Sequence, residues 1–225
     1  MTDQSLSLRY RIRPSSIDNA PLLLLLHGYG SNEDDLFAFA PQMDERFLII
    51  SARAPYDMQP YGAAWYAINF DATGGKFSDT GQALQSMATL EGFLQELQLK
   101  YSINKDNRNI LGFSQGAILS YGLSLSRPEL LKNIVAMSGY LNEELIRDKE
   151  RLEERLQTAA ALPEYFISHG TMDQVVPYTW ASKAPLFLDG LGLKNKFHDY
   201  PIGHGVSPAN FADMKRWLEK RVFDQ

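Results

Sequence analysis

Residues 109–125 read Asn-Ile-Leu-Gly-Phe-Ser-Gln-Gly-Ala-Ile-Leu-Ser-Tyr-Gly-Leu-Ser-Leu, and the middle of that stretch, Gly112-Phe113-Ser114-Gln115-Gly116, decides the fold. Ile110 and Leu111 lead into it as a buried strand, and the run 117–125 leaves it with helical spacing. A strand that turns straight into a helix forces the residue at the corner into a strained conformation. The flanking glycines make room where side chains would strike the neighbouring strand and helix. The corner hydroxyl is thereby lifted above the sheet, at a helix N-terminus whose unpaired amides and positive dipole end favour negative charge. Two glycines around a serine arise often by chance; the placement between strand and helix gives this pattern its weight. Ser138, in Met137-Ser138-Gly139, also follows a strand candidate, but without the paired glycines or an immediate helix it reads as a structural turn.

Outward from the elbow, short apolar segments alternate with longer amphipathic ones. That alternation predicts an α/β fold with helices packed on a mostly parallel sheet. Residues 22–26 are a run of five leucines suited to a strand buried on both faces. Further strands are predicted at 47–51, 109–113, 134–138, 164–169 and 196–200, and an antiparallel edge strand at 6–13. In 82–99, Leu84, Met87, Leu90, Leu94 and Leu97 form one apolar stripe of a helix. Ser207 and Pro208 open the last helix, whose buried face is Phe211, Met214, Trp217 and Leu218. Residues 143–156 are highly charged yet keep Leu145, Lys149, Leu152 and Leu156 on one stripe, with Glu143 and Arg147 spaced for a pair. They read as a surface helix, with a lid as the alternative. No repeat or linker divides the chain, so residues 1–225 are expected to form a single domain.

Composition narrows the chemistry. The chain has 225 residues, of which 44% are hydrophobic and 22% charged, enough to bury a large core. A formal net charge of −5 offers no basic footprint, so nucleic acid is not expected as a partner. The absence of cysteine removes thiolate nucleophiles and thiolate metal sites, leaving hydroxyl, carboxylate and imidazole. The N-terminus lacks a basic segment followed by an apolar run, making cytoplasm the expected location. The leucine run falls far short of the roughly 20 residues that span a bilayer, so stable membrane insertion is not expected.

A serine hydroxyl needs an imidazole to take its proton and a carboxylate to hold that imidazole's tautomer. On a strand–elbow–helix scaffold the partners follow in the order serine, acid, histidine. Of four histidines, His27 is thereby excluded. His204, in the loop Gly203-His204-Gly205 before the last helix, is the chosen base; His198 reads as a strand residue and His169 as part of a turn. Asp173, in His169-Gly170-Thr171-Met172-Asp173, is the favoured acid; Asp199 lies in a strand and Asp189 near a helix end. The oxyanion donors expected are the amides of Gln115, next to the nucleophile, and Tyr29, in His27-Gly28-Tyr29-Gly30 after the leucine strand. His27 itself reads as a structural hydrogen-bonding residue.

Together, Leu26-His27-Gly28-Tyr29-Gly30, the elbow, His169 to Asp173 with Val175-Val176-Pro177, and Gly203-His204-Gly205 resemble the phospholipase/carboxylesterase family, to which acyl-protein thioesterases belong. Ala54-Pro55 and Trp65-Tyr66 extend the likeness over nearly the whole chain. The resemblance implies an α/β-hydrolase fold, a triad of Ser114, Asp173 and His204, oxyanion amides at Tyr29 and Gln115, and no cofactor. It implies a small-molecule or lipid acyl ester as substrate, cleaved as by a carboxylesterase; an acyl-protein thioesterase or lysophospholipase is the alternative. A homodimer is compatible with it. Ala117, Trp65-Tyr66 and the length of 143–156 depart from the family's common pattern and put the acyl pocket in question.

Trp65 and Tyr66 are candidate substrate-binding residues, and Leu36, Phe37, Phe39 and Phe70 are candidates to line an acyl channel with them. The rival from another class is a binding protein on a hydrolase scaffold, since fold alone does not prove activity. No dinucleotide fingerprint or phosphate loop is present, 71–75 with Lys76 reads as a flexible loop, and the scattered histidines argue against a metal site.

Overall fold

The computed structural model describes residues 2–3, 6–70 and 76–224. Eight strands form one sheet: β1 (Thr2–Asp3), β2 (Tyr10–Arg13), β3 (Ala20–Leu26), β4 (Leu48–Ala52), β5 (Ile103–Phe113), β6 (Asn133–Met137), β7 (Glu164–Gly170) and β8 (Asn195–Tyr200). Their order is β1-β2-β4-β3-β5-β6-β7-β8. The six from β4 to β8 run parallel, while β1 and β2 are antiparallel additions beside β4.

β3 shows how the sequence sets the layers. Every residue of it is buried, and successive side chains leave opposite faces of the sheet. The helices are α1 (Thr80–Lys100), α2 (Gln115–Ser126), α3 (Leu152–Thr158), α4 (Tyr178–Ala181), α5 (Lys183–Gly190) and α6 (Pro208–Phe223). Leu22, Leu24 and Leu26 join the core under α1, α2 and α5. Leu23 and Leu25 join the other core, with Leu36 and with Met214, Trp217 and Leu218 of α6 (Pro208–Phe223). The start of α1 is fixed by Asp79, whose carboxylate accepts from the Gln82 amide at 2.9 Å. The start of α6 is fixed by Ser207, whose hydroxyl accepts from the Asn210 amide at 3.1 Å, with Pro208 in the first turn.

Two expectations need correction. Within 6–13 only Tyr10–Arg13 is strand, and it is not the edge, because Thr2–Asp3 pairs outside it. Residues 6–8 bend inward: Leu8 is buried, and the Ser7 amide finds the Glu96 carboxylate on α1 at 2.8 Å instead of a ladder partner. Residues 143–156 are not one helix but two 3-10 turns, Glu143–Leu145 and Lys149–Arg151, followed by α3 (Leu152–Thr158). Asp148 takes a left-handed φ of 45° and breaks the helical register. Arg147 pairs with Glu91 on α1, and Glu143 with Lys149. Leu145, Leu152 and Leu156 do face inward. The Ser126 hydroxyl, at the end of α2, donates to the Leu145 carbonyl at 3.3 Å and accepts from the Arg147 amide at 3.0 Å, strapping the segment to the body. The loop 71–75 lies outside the described residues. Among those described, no helix is long and apolar enough to cross a membrane.

Candidate active site

The corner between β5 and α2 is Ser114, at φ 53° and ψ −116°. Its amide donates to the Met137 carbonyl at 2.9 Å, tying the turn to β6. A Cβ on Gly112 would stand 2.4 Å from the Gly116 carbonyl carbon, and one on Gly116 would stand 2.1 Å from the Leu26 carbonyl oxygen. Both distances lie far inside van der Waals contact, so the packing of β3, β5 and α2 admits only glycine at either position.

Three loops at the carboxyl ends of the strands meet over this corner. The Nε2 of His204, after β8, lies 3.0 Å from the Ser114 hydroxyl, and its Nδ1 lies 2.7 Å from Oδ2 of Asp173, after β7. The two loops are laced together by the Thr171 amide on the Tyr200 carbonyl at 2.8 Å and the Met172 amide on the Ile202 carbonyl at 3.0 Å. Oδ1 of Asp173 accepts from the amides of Val175 and Val176, at 2.8 and 2.9 Å. Burial alone would raise the Asp173 carboxyl, but the bonds from His204, Val176 and Val175 outweigh it and hold it below its ordinary range. It is therefore an anion at neutral pH, and His204 has one nitrogen on the anion and the other on the serine.

The other histidines take structural places. His27 is buried; its Nδ1–H donates to the Gly28 carbonyl at 2.7 Å, and its Nε2 accepts from the Ala54 amide at 3.0 Å. Burial lowers its pKa, consistent with that neutral tautomer. His198 stacks on Phe166. His169 is fully buried, with Nε2 2.9 Å from the Val176 carbonyl and 3.4 Å from Oδ2 of Asp173. It braces the loop that carries the acid, as its place in that turn suggests. Asp199 accepts from the Tyr178 hydroxyl and Asp189 from the Asn195 side chain, both away from His204. Ser138 donates to the Gly205 carbonyl at 3.3 Å, supporting the His204 loop.

Ser114 and His204 open on a cavity of about 560 Å³ whose wall includes both Tyr29 and Gln115. The Gln115 amide is in the first turn of α2, where intrahelical bonding leaves donors over. Its side chain is clamped: Oε1 accepts from the Trp65 amide at 3.0 Å, and Nε2 donates to the Tyr66 carbonyl at 2.8 Å. The Tyr29 loop is braced by the Gly30 amide on the Ala63 carbonyl at 2.9 Å.

The structure separates Trp65 from Tyr66. Tyr66 lines the cavity. Trp65 is fully buried behind the wall, its indole N–H donating to the His27 carbonyl at 2.9 Å, because a buried indole must place its donor. Leu36, Phe37 and Phe39 do not line the cavity either; they pack on the opposite face of the sheet, Phe39 against Phe211 with ring centroids 4.7 Å apart. The side chain of Phe70 lies outside the described residues. Instead, Ile68, Ile118, Val175 and Val176 supply the apolar wall, and Ser78, Tyr140, Asn142, Glu144 and Trp180 the more polar part. Tyr140, Asn142 and Glu144 follow the end of β6, and Val175, Val176 and Trp180 follow the end of β7, where open parallel sheets bind ligands. Among the described residues, no group of three or more His, Asp or Glu side chains is placed to hold a metal ion.

Comparison with known proteins places this arrangement. The chain is 25% identical over 142 residues to lysophospholipase-like protein 1 of Mus musculus, a match covering 63% of this chain and 58% of that protein. It is 30% identical over 137 residues to acyl-protein thioesterase 1 of Debaryomyces hansenii, covering 60% of this chain and 57% of that one. The matches thus span under three-fifths of these relatives' lengths. Among solved structures, the esterase PE8 superposes with a TM-score of 0.82 at 26% identity, covering 96% of this chain and 99% of that one. The sequence model of the phospholipase/carboxylesterase family matches residues 9–222, nearly the whole chain, and the protein belongs to that family.

Proposed function

We propose that the protein is a serine carboxylesterase, working as a single catalytic unit, in which Ser114 is the nucleophile, His204 the base and Asp173 the orienting anion. The observation that carries this reading is the relay Ser114 Oγ to His204 Nε2 at 3.0 Å and His204 Nδ1 to Asp173 at 2.7 Å, opening on the cavity. Asp173 accepts the Nδ1–H, which leaves the Nε2 lone pair facing the serine. As Oγ bonds to the substrate carbonyl carbon, its proton moves to Nε2. The carbonyl oxygen gains the charge and takes donors from the amides of Tyr29 and Gln115. Collapse breaks the bond to the alcohol, which leaves with the proton from Nε2, and the acyl group stays on Ser114. A water, deprotonated by the same nitrogen, attacks the acyl carbon and returns the serine. Each oxyanion donor contributes about 100- to 1,000-fold to the rate. The clamp on Gln115 supports that share by fixing its amide before substrate arrives.

The apolar wall and the likeness to a thioesterase favour a second reading, in which the natural substrate is a long-chain thioester or lysophospholipid. Initial rates on p-nitrophenyl esters of graded chain length and on matched acyl thioesters, for the parent and Ser114→Ala, test both. Activity confined to the parent supports the nucleophile, and the preferred chain and leaving atom choose between the readings. Equal rates in parent and variant reject the catalytic role of Ser114.

A further inference from the structure

The cavity wall is electrostatically one-sided. Among its described lining residues, Glu144 is the sole carboxylate, and none is a lysine or arginine. Glu144 sits in the turn Glu143–Leu145, its amide bonded to Asn142 Oδ1 at 3.1 Å. Its neighbour Glu143 is neutralised by Lys149. The Glu144 carboxylate instead accepts from a neutral donor, the Thr80 hydroxyl at 3.1 Å. Beside it, Tyr140 and Trp180 meet edge to face with centroids 5.2 Å apart, and Trp180 and Tyr29 remain substantially exposed on the same wall. Glu144 and Tyr140 line the same cavity, and the Tyr140 hydroxyl is pushed up mainly by burial, against the lowering hydrogen bond to Ser78, with the Glu144 charge adding a smaller rise. Aromatic faces attract cations, and a carboxylate on the same wall adds its Coulomb attraction.

Building on the esterase reading above, we infer that Glu144, Tyr140 and Trp180 form a subsite for a cationic group, so that the enzyme prefers esters bearing an ammonium to neutral or anionic esters of the same shape. An exposed ion pair and one cation–π contact together give a preference of about tenfold in kcat/KM, screened by salt.

The test compares choline esters with 3,3-dimethylbutyl esters of the same acyl group, which differ only in a charged nitrogen replaced by carbon, and with a carboxylate-bearing ester of similar size. The ratio of kcat/KM values is taken within each protein, so that a general loss of activity divides out. The expected ratio of cationic to neutral ester is about tenfold in the parent, reduced to about threefold in Glu144→Gln, where the aromatic contact remains, inverted in Glu144→Lys, and reduced in the parent by high salt. A parent ratio near one, or a ratio unchanged in Glu144→Gln, overturns the subsite. Binding of choline and of 3,3-dimethylbutan-1-ol to Ser114→Ala, followed by thermal shift, decides the matter without turnover. Tighter choline binding that Glu144→Gln weakens upholds the subsite even if no ester is cleaved, whereas equal binding of the two overturns it even if esters are cleaved.

Discussion

Asp173→Asn isolates the tautomer argument, because it changes one atom's chemistry and almost no volume. Oδ1 of the native carboxylate accepts from the Val175 and Val176 amides at 2.8 and 2.9 Å, and Oδ2 faces His204 Nδ1 at 2.7 Å. An asparagine therefore has a forced orientation. With its carbonyl oxygen on the two amides, its NH₂ points at Nδ1; flipped, the NH₂ meets two N–H donors. At about 1–3 kcal/mol for each buried donor left without an acceptor, the flip costs about 2–6 kcal/mol. The unflipped form wins, Nδ1 has to accept, and the imidazole proton sits on Nε2, facing Ser114. That tautomer cannot take the serine proton. Recovering the reactive one requires the flip, so kcat falls by about 30- to 20,000-fold at 1.4 kcal/mol per decade. KM should stay near the parent value, because Asp173 does not line the cavity. Loss of one charge-assisted bond removes about 1.5–3 kcal/mol of stability, a fall of about 3–12 °C in melting temperature for a chain of this size. Initial rates on a neutral p-nitrophenyl ester, with a thermal melt of the same sample, measure both. A folded Asp173→Asn protein retaining more than a tenth of the parent kcat would refute the reasoning.

Three further outcomes follow from the same geometry. Gly116→Ala puts a Cβ 2.1 Å from the Leu26 carbonyl oxygen and must push β3 and α2 apart; it should cost at least about 1–3 kcal/mol by chemical denaturation and on the order of 100-fold in kcat. His169→Phe leaves the Val176 carbonyl without its buried donor, so a loss of about 1–3 kcal/mol is expected, with kcat falling while KM holds; His169→Gln, which restores an N–H, should recover part of both. The Asp173 carboxyl is depressed in the folded state, so its charge contributes stability that is fully present above the ordinary carboxylate range of about 4 and is lost as pH falls through the depressed value. Urea unfolding from neutral pH downward should accordingly show the gap between the parent and Asp173→Asn closing below about pH 4, and a gap that stays constant would contradict the assignment.

What was legible in the sequence was what local geometry compels. Gly112 and Gly116 are dictated by contacts within one strand–turn–helix unit and its adjoining strand, so the elbow can be read without knowing the rest. The chain order of partners removes only His27 of the four histidines, the loop settings of His204 and Asp173 single them out among the rest, and the structure sets them at bonding distance. The helix expected over 143–156 failed because its charge pattern is compatible with a helix, while Arg147 finds Glu91 on another element and Asp148 turns left-handed. The aromatic candidates divided for a similar reason. Trp65 and Tyr66 are adjacent in sequence, but the His27 carbonyl claims the indole N–H, and Tyr66 is left to face the cavity.

The cavity wall exposes the deeper asymmetry. Tyr140 and Glu144 follow β6 while Val175 and Trp180 follow β7, segments that the sheet order makes neighbours, and no local pattern marks them. The nucleophile's corner is therefore set by short-range constraints, and the recognising atoms by long-range ones. Changes to the wall, such as Glu144→Gln, are accordingly expected to move selectivity while the elbow keeps its shape, whereas Gly116→Ala damages every substrate's turnover alike. If the two changes gave the same profile across cationic, neutral and anionic esters, the division between chemistry and recognition drawn from this fold would be wrong.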